Sequence, residues 1–278
     1  MTADAHRHFR EVAYATASPA QRADVYLPST GDGPFPVVVF VHGGGFVSGD
    51  KSALIPGLVS TANRRGFAVV SVGYRLLAEA DFPAQIHDVK AAVRWIRASA
   101  ASTYSLDPGS IAIWGASAGG HLAALVGTSE GVDLLQDDTL GYADVPPRVA
   151  AVVDWFGPAD FIAMRDYLNE ARGVEGGEMT FPLDYITRRI DDSPELVLAA
   201  NPATHADPGD PPILIQHGDA DAVVPVQQSI ALAEQLAARM GRDRVTLEIA
   251  SGEGHGTGIF VSTEAVALVL DWIEDAIE

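Results

Sequence analysis

The sequence predicts an α/β fold, in which a mostly parallel sheet of eight strands carries helices on both faces. Short runs rich in β-branched residues alternate with longer amphipathic segments, as in strands connected by helices. Two of these runs, FPVVVFVH and FAVVSVGY, are continuously apolar, as strands buried on both faces must be. The 278 residues are 47% hydrophobic, enough for one large core, so we expect a single domain over residues 1–278.

The predicted elements follow one another in a regular order. EVAYATA and ADVYLP are expected as antiparallel edge strands, and a helix over residues 51–65 separates the two apolar runs. A helix over residues 84–101 has apolar side chains at helical spacing and leads through the turn DPG into the strand IAIWG. The remaining predicted elements are the helix HLAALVGT, the strands VAAVVDWF, PPILIQHG and VTLEIA, and helices over residues 226–240 and 263–278.

Residues 160–205 differ from the rest of the chain. They mix acidic residues, glycines and scattered aromatic residues without strand signals, and they lie between two predicted core strands. We therefore expect a small helical insertion that caps one end of the sheet, rather than an independent domain.

Composition excludes several classes of function. The net charge of −19 repels nucleic acid and anionic lipid, so we expect neither nucleic-acid nor membrane partners. The absence of cysteine excludes disulfides, thiolate metal sites and cysteine nucleophiles. The first thirty residues lack the features of a secretory signal, which predicts a cytoplasmic location. The sequence gives no indication of a homodimer.

The strand IAIW is followed by GASAGG and then by the helix HLAALVGT. This places the pattern G-x-S-x-G between a strand and a helix, where a sharp turn holds the central serine in a strained, exposed conformation. Small residues also occur together in ordinary turns, so a structural serine is the alternative. The flanking strand and helix favour Ser117 as a nucleophile.

A serine nucleophile needs a histidine base and an acid that orients it. In this arrangement the chain order is serine, acid, histidine. His255 lies in the glycine-flanked segment GEGHG after the last predicted strand and is the preferred base. His121 comes one turn into the helix after the serine, where we expect packing or hydrogen bonding.

For the acid, the segment HGDADAVVP offers Asp221, with Asp219 as the alternative. Asp154 and Asp160 follow an earlier strand and are less suited, and Asp160 is expected to cap the next helix.

The segment FVHGGGFVSGDKS is a glycine loop that fits either a phosphate or a transient oxyanion. A phosphate loop requires G-x-x-x-x-G-K-[ST], but Asp50 precedes Lys51 here and places negative charge where phosphate should bind. The pattern H-G-G-G after a strand instead favours an oxyanion loop, with the N–H groups of Gly44, Gly45 and Ala118 as donors. His42 is expected to brace the loop through backbone hydrogen bonds.

With these motifs in place, the chain resembles the α/β-hydrolase superfamily, and within it the hormone-sensitive-lipase-like esterases and the bacterial bifunctional feruloyl and acetyl-xylan esterases. The similar stretches span residues 42–256 and are HGGGFVSGDKS, YRLLAEADFPAQIHDVKAAVRWIRA, IAIWGASAGGHLAAL, VVDWFGPAD, HGDADAVVPVQQS and GEGHG. The resemblance implies an α/β-hydrolase fold, Ser117, Asp221 and His255 as the triad, and Gly44, Gly45 and Ala118 around the oxyanion.

The substrate pocket is predicted less sharply, because pockets and cores use the same residue types. A core position is an equal alternative for each aromatic residue in the set. The candidate substrate-binding residues are Phe46, Trp155, Phe156, Phe161, Met164, Tyr167, Phe181 and Tyr185.

The predicted function is that of a serine carboxylic-ester hydrolase, which acts through an acyl-enzyme on small, acylated-sugar or aryl esters of the acetyl or feruloyl type. Neither a metal nor an organic cofactor is required. One alternative is an amide-cleaving relative, such as an arylformamidase or small peptidase, because the same triad cleaves both bonds. The other is a non-catalytic ligand-binding protein of the same fold.

Overall fold

The computed structural model describes residues 7–172 and 193–278. Its strands are β1 (His8–Ala13), β2 (Arg22–Tyr26), β3 (Phe35–Val41), β4 (Ala68–Val72), β5 (Leu106–Ala116), β6 (Ala151–Trp155), β7 (Ile213–Gly218) and β8 (Val245–Ala250). They form one sheet in the order β1-β2-β4-β3-β5-β6-β7-β8. β2 is antiparallel to both of its neighbours, and every pairing from β4 to β8 is parallel. The predicted mostly parallel, eight-stranded sheet is confirmed.

Helices fill the connections between the strands. In the described ranges they are α1 (Leu58–Arg64), α2 (Ala84–Trp95), α3 (Ala101–Tyr104), α4 (Ala118–Thr128), α5 (Phe161–Arg172), α6 (Pro194–Ala199), α7 (Pro202–His205), α8 (Gln227–Met240) and α9 (Thr263–Ile277). A π-helical turn over Ile96–Ala100 joins α2 to α3, so helical backbone continues slightly past the predicted end at residue 101.

The helix predicted over residues 51–65 is shorter than expected, because α1 begins only at Leu58. Ile55 precedes Pro56, and a residue before proline is disfavoured in helical conformation. Gly57 then adopts a left-handed conformation with φ 79°. The prediction was wrong over the first half of this segment because Pro56 and Gly57 prevent the helix from starting before Leu58.

Both faces of the sheet are covered, as the apolar strands predict. On one face Val39 of β3 packs in a cluster with Leu122 of α4 and Leu236 of α8. On the other face the next residue, Phe40, packs in a cluster with Val266 of α9. Alternate side chains of β3 therefore enter two separate cores, which explains why its sequence shows no polar alternation.

The strand order brings the predicted functional segments to one edge of the sheet. β3 and β5 are parallel neighbours with Val41 opposite Gly115, so the glycine loop and the serine turn leave the sheet side by side. The carboxyl ends of β7 and β8 lie at the same edge. This is the point in an open α/β sheet where ligands ordinarily bind.

The described part of residues 160–205 contains helices α5, α6 and α7, in agreement with a helical segment between β6 and β7. Two predicted pocket residues, Phe181 and Tyr185, lie outside the described residues. Across the described ranges, none of the helices combines the length and the apolar character that crossing a membrane requires.

Candidate active site

Ser117 occupies the turn between β5 and α4, as the motif predicts. Its backbone has φ 57° and ψ −122°, a conformation that costs energy for any residue with a side chain. Its N–H donates to the Trp155 carbonyl at 2.8 Å, which ties the turn to the end of β6. The serine is therefore fixed by its main chain at the edge of the sheet.

Glycines let the serine turn and the loop after β3 come into direct contact. A Cβ on Gly119 would lie 2.0 Å from the Val41 carbonyl oxygen and 2.6 Å from that of His42. A Cβ on Gly43 would lie 2.8 Å from the Ala116 carbonyl oxygen. The two segments interlock through backbone atoms that leave no room for side chains.

The three predicted oxyanion donors lie on these two touching segments. Gly44 and Gly45 belong to a turn in which the Gly44 carbonyl accepts hydrogen bonds from the N–H groups of Val47 and Ser48, both at 3.1 Å. Ala118 is the first residue of α4. The first N–H groups of a helix have no partner within the helix and carry its positive dipole end.

His255, on the loop after β8, contacts both of the other predicted triad residues. Its Nε2 lies 2.9 Å from Ser117 Oγ, and its Nδ1 lies 2.6 Å from Asp221 Oδ2. A carboxylate only accepts hydrogen bonds, so Nδ1 carries a proton and Nε2 of the neutral ring is free to accept one from the serine. This is the tautomer that a histidine base requires.

Asp221 is a saturated hydrogen-bond acceptor. Its Oδ1 accepts from the N–H groups of Val223 at 2.7 Å and Val224 at 2.9 Å, while Oδ2 faces His255. Burial acts to raise the pKa of the Asp221 carboxyl, but hydrogen bonds from His217, His255 and the Val224 N–H hold that pKa well below its usual range. The acid is therefore ionised at neutral pH.

The other acids considered from the sequence are used elsewhere. Asp219 Oδ1 accepts from the Gly252 N–H at 2.6 Å. Asp160 Oδ1 accepts from the N–H groups of Ile162 and Ala163 and so caps α5, as predicted.

Comparison with known proteins gives the family. The model of the BD-FAE family matches residues 23–236. The chain belongs to the BD-FAE family. Esterase LipC of Mycobacterium tuberculosis is 32% identical to this BD-FAE chain over 280 residues, which cover 96% of the chain and 65% of LipC. The chain thus spans less than two thirds of the length of this curated relative.

Solved structures resemble the BD-FAE chain over nearly its whole length. A truncated carbohydrate esterase from gut microbiota superimposes with a TM-score of 0.85 at 32% identity, covering 99% of this chain and 98% of that one. The bifunctional GH43-CE of Bacteroides eggerthii gives a TM-score of 0.84 at 33% identity, covering 99% of this chain and 38% of that one. Together with the strand order, these similarities establish the α/β-hydrolase fold.

Two contacts with the acid and the base were not predicted from the sequence of the BD-FAE chain: His217 was not a candidate, and Phe156 was a candidate for the substrate pocket only. His217 Nε2 lies 3.2 Å from Asp221 Oδ2. The Phe156 ring packs at 61° against the His255 ring, with centroids 4.7 Å apart, and Phe156 itself has φ 44°. The position of His217 four residues before the acid could have indicated this contact. A histidine inside a buried strand, however, more often has a structural role than a functional one.

Asp154 lies at the end of β6, fully buried beneath the first turn of α4. Its Oδ1 accepts from the Gly157 N–H at 2.9 Å, and Oδ2 has no hydrogen-bond partner in the part of the chain that the structure describes. Burial raises the pKa of Asp154 to about 6. The carboxyl therefore titrates near neutrality without contacting the serine, the base or the acid described above.

His42 and His121 bond to backbone carbonyl groups, as expected from the sequence. His42 Nδ1 lies 2.7 Å from the Gly43 carbonyl oxygen, and its ring stacks on Tyr74 at 4.3 Å. His121 Nδ1 lies 3.0 Å from the Pro158 carbonyl oxygen. Burial lowers the pKa of His121 to about 4, so this ring is neutral at neutral pH.

The candidate pocket residues are distributed over different environments. Phe46 and Phe161 are buried, with ring centroids 6.5 Å apart. Met164 and Trp155 are 0% and 1% exposed and lie in the cores on opposite faces of the sheet. Tyr167 is 43% exposed and borders a cavity of about 270 Å³ between α5 and α8. Trp155 thus occupies the core position that the sequence left as its alternative, and Met164 is buried in the other core.

Proposed function

We propose that this BD-FAE chain hydrolyses carboxylic esters through an acyl-enzyme on Ser117. The observation that carries the proposal is the series of contacts from Ser117 Oγ to His255 Nε2 at 2.9 Å and from His255 Nδ1 to Asp221 Oδ2 at 2.6 Å. A strained serine at a strand–helix turn, a base in the correct tautomer and a buried acid are the parts that acyl transfer needs.

In the proposed reaction Ser117 Oγ attacks the ester carbonyl carbon while its proton passes to His255 Nε2. The tetrahedral intermediate collapses as the bond to the alcohol oxygen breaks, and His255 gives the proton to that oxygen. Water then attacks the acyl-enzyme and loses a proton to His255, which returns it to Ser117 as the acid leaves. Asp221 holds the imidazole and stabilises its cationic form throughout.

The negative charge of both intermediates would be bound by the N–H groups of Gly44, Gly45 and Ala118. The contact between their two backbone segments supports this role, because donors fixed before the reaction cost no reorganisation during it. A single donor of this kind is typically worth about 3 to 4 kcal/mol of transition-state stabilisation.

The proposed substrates are small acyl esters of sugars or phenols, of the acetyl or feruloyl type. The similarity to a carbohydrate esterase over almost the full length of both chains supports the carbohydrate ester. A panel of acetyl, butyryl, octanoyl and feruloyl esters, an acetylated xylo-oligosaccharide and a matched aryl amide would rank these substrates and test the amide alternative.

The proposal predicts that Ser117→Ala lowers kcat for p-nitrophenyl acetate by about 10⁴-fold or more, because no other group forms the acyl-enzyme. A fluorophosphonate probe should label the wild-type protein at Ser117 and leave this variant unlabelled. Ser102→Ala, an exposed serine of α3, is the matched control and should keep full activity and labelling. Turnover of the Ser117 variant within tenfold of wild type would refute the assignment.

A further inference from the structure

His217 contacts the same carboxylate oxygen of Asp221 that His255 contacts. It belongs to β7, is 0% exposed, and has hydrogen-bond partners at both ring nitrogens. Nδ1 lies 2.6 Å from Ser229 Oγ of α8. Nε2 lies 2.9 Å from the Val224 carbonyl oxygen and 3.2 Å from Asp221 Oδ2.

These partners determine where the ring proton is. A carbonyl oxygen only accepts hydrogen bonds, so Nε2 must carry the proton that it donates to Val224. In the neutral ring Nδ1 then accepts, and the Ser229 hydroxyl donates to it. The Nε2–H of His217 therefore donates to the Val224 carbonyl and has the Asp221 carboxylate as a second acceptor, 3.2 Å from the same nitrogen.

Asp221 Oδ2 consequently faces two imidazoles, with His255 Nδ1 at 2.6 Å and His217 Nε2 at 3.2 Å. A continuous series of polar contacts runs from Ser229 through His217, Asp221 and His255 to Ser117. Three of these side chains, Ser229, His217 and Asp221, are fully buried. In such a low-dielectric setting, each hydrogen bond polarises the next.

We infer that His217, held by Ser229, is a positioning residue for the proposed triad, because it fixes the Asp221 carboxylate and shares the charge of Oδ2 with His255. The inference rests on the proposed serine mechanism. His217 competes with His255 for the same oxygen, so it limits the charge that stabilises the His255 cation. Its removal should loosen the carboxylate, which the N–H groups of Val223 and Val224 still hold through Oδ1, and should also make His255 more basic.

The test compares His217→Phe, which keeps a buried ring without an N–H, with His217→Gln, whose amide can still donate near the Nε2 position. For p-nitrophenyl acetate we expect the Phe variant to lower kcat by about 10-fold or more with KM within twofold, and the Gln variant to recover much of the loss. The acid limb of kcat/KM should move upward by about half a pH unit in the Phe variant.

Ser229→Ala removes only the hydroxyl that supports the ring and is the variant to use if the Phe protein does not fold. It should shift the acid limb in the same direction by a smaller amount. His87→Phe is the matched control, because His87 Nε2 also lies 3.0 Å from a backbone carbonyl, that of Leu134, far from the site in sequence. Active-site titration with a phosphonate normalises every rate to the folded fraction.

The groups facing this series from neighbouring elements include the carboxyl of Asp154 on β6, which acts electrostatically on His217. In the double variant His217→Phe, Asp154→Asn, protonation of Asp154 can no longer contribute to the acid limb of kcat/KM. The upward shift of that limb should persist. An unchanged acid limb and normal kcat per titrated site in His217→Phe, or in Ser229→Ala if the former does not fold, would overturn the role of His217. That result leaves the serine mechanism intact, whereas wild-type protein that is inert toward esters and the probe would instead refute the proposed function.

Discussion

Ser117 and His255 are held in the site by different parts of the molecule. Ser117 is positioned by main chain, through its strained turn, its N–H bond to Trp155 and the glycine contacts with the loop after β3. His255 lies on a loop after a different strand and is positioned by side chains, chiefly the carboxylate of Asp221. We call these the main-chain side and the side-chain side of the site.

The two sides of the site therefore depend on different properties. The main-chain side depends on space, because added atoms would overlap backbone that cannot move alone. The side-chain side depends on charge and on which nitrogen carries a proton. Substitutions that preserve shape but change charge should therefore damage only the side-chain side. Substitutions that add volume should damage chiefly the main-chain side.

Asp221→Asn tests the side-chain side without changing its shape, and it is expected to have the largest effect among the substitutions that compare the two sides. An amide can donate to His255 Nδ1 and so favours the tautomer that cannot accept the serine proton. We expect kcat to fall by about 10³- to 10⁴-fold with the melting temperature little changed. Steady-state kinetics on p-nitrophenyl acetate and thermal unfolding check both parts.

Asp219→Asn is the matched control, two residues earlier in the same loop. Asp219 acts as an acceptor for the Gly252 N–H, and an asparagine oxygen can accept the same bond. Activity should stay within a few fold of wild type. Equal losses in the two variants would show that the loop, and not the charge of Asp221, controls activity.

Gly119→Ala tests the main-chain side through volume alone. The new Cβ would lie 2.0 Å from the Val41 carbonyl oxygen, and that oxygen cannot yield without displacing β3. We expect a loss of about 3 kcal/mol or more in the free energy of unfolding, measured by urea denaturation. Gly109→Ala, whose Cβ would lie 3.2 Å from the half-buried Asp107 side chain, should cost less than about 1 kcal/mol. Equal costs would contradict a rigid interlock.

Asp154→Asn should have the smallest effect and the opposite sign. Burial raises the pKa of Asp154 from 3.8 to about 6, so its contribution to stability is full below pH 3.8 and is lost as the pH rises through about 6. The asparagine variant avoids that loss and should be more stable than wild type by about 1 to 3 kcal/mol at pH 7.5. The gain should vanish near pH 4. A pH-independent difference in melting temperature would show that the carboxyl does not titrate in this range.

The sequence predicted the parts of the site that depend on contiguous residues. The strand–turn–helix around Ser117 follows from apolar periodicity and two glycines, and the buried strands β2 to β7 overlap their predicted positions. The first strand was wrong in position, because β1 is His8–Ala13 and largely exposed, whereas the prediction was residues 11–17. The helix over residues 51–65 was wrong before Leu58, because Pro56 and Gly57 prevent it from starting earlier.

Contacts between residues far apart in the sequence could not be predicted from the sequence alone. The sequence favoured Asp221 over Asp219 only by position in the loop. The structure distinguishes them by their partners, since Asp221 contacts His255 and Asp219 contacts Gly252. Whether an aromatic residue lines a pocket depends on which face of the sheet it joins. Trp155 enters the core beside Trp114, with centroids 4.9 Å apart, and no local pattern could show this.

The interlock of Gly43 with the serine turn has a consequence for how substrate preference can change. The wall that would bind the oxyanion is built from two glycines and one alanine, so it offers few positions at which substitution can alter selectivity. We therefore expect new acyl or alcohol preferences to come from substitutions outside these residues. Substrate range can then change without altering the residues that carry the proposed chemistry. Directed evolution of this protein should therefore leave residues 42–45 and 115–120 unchanged.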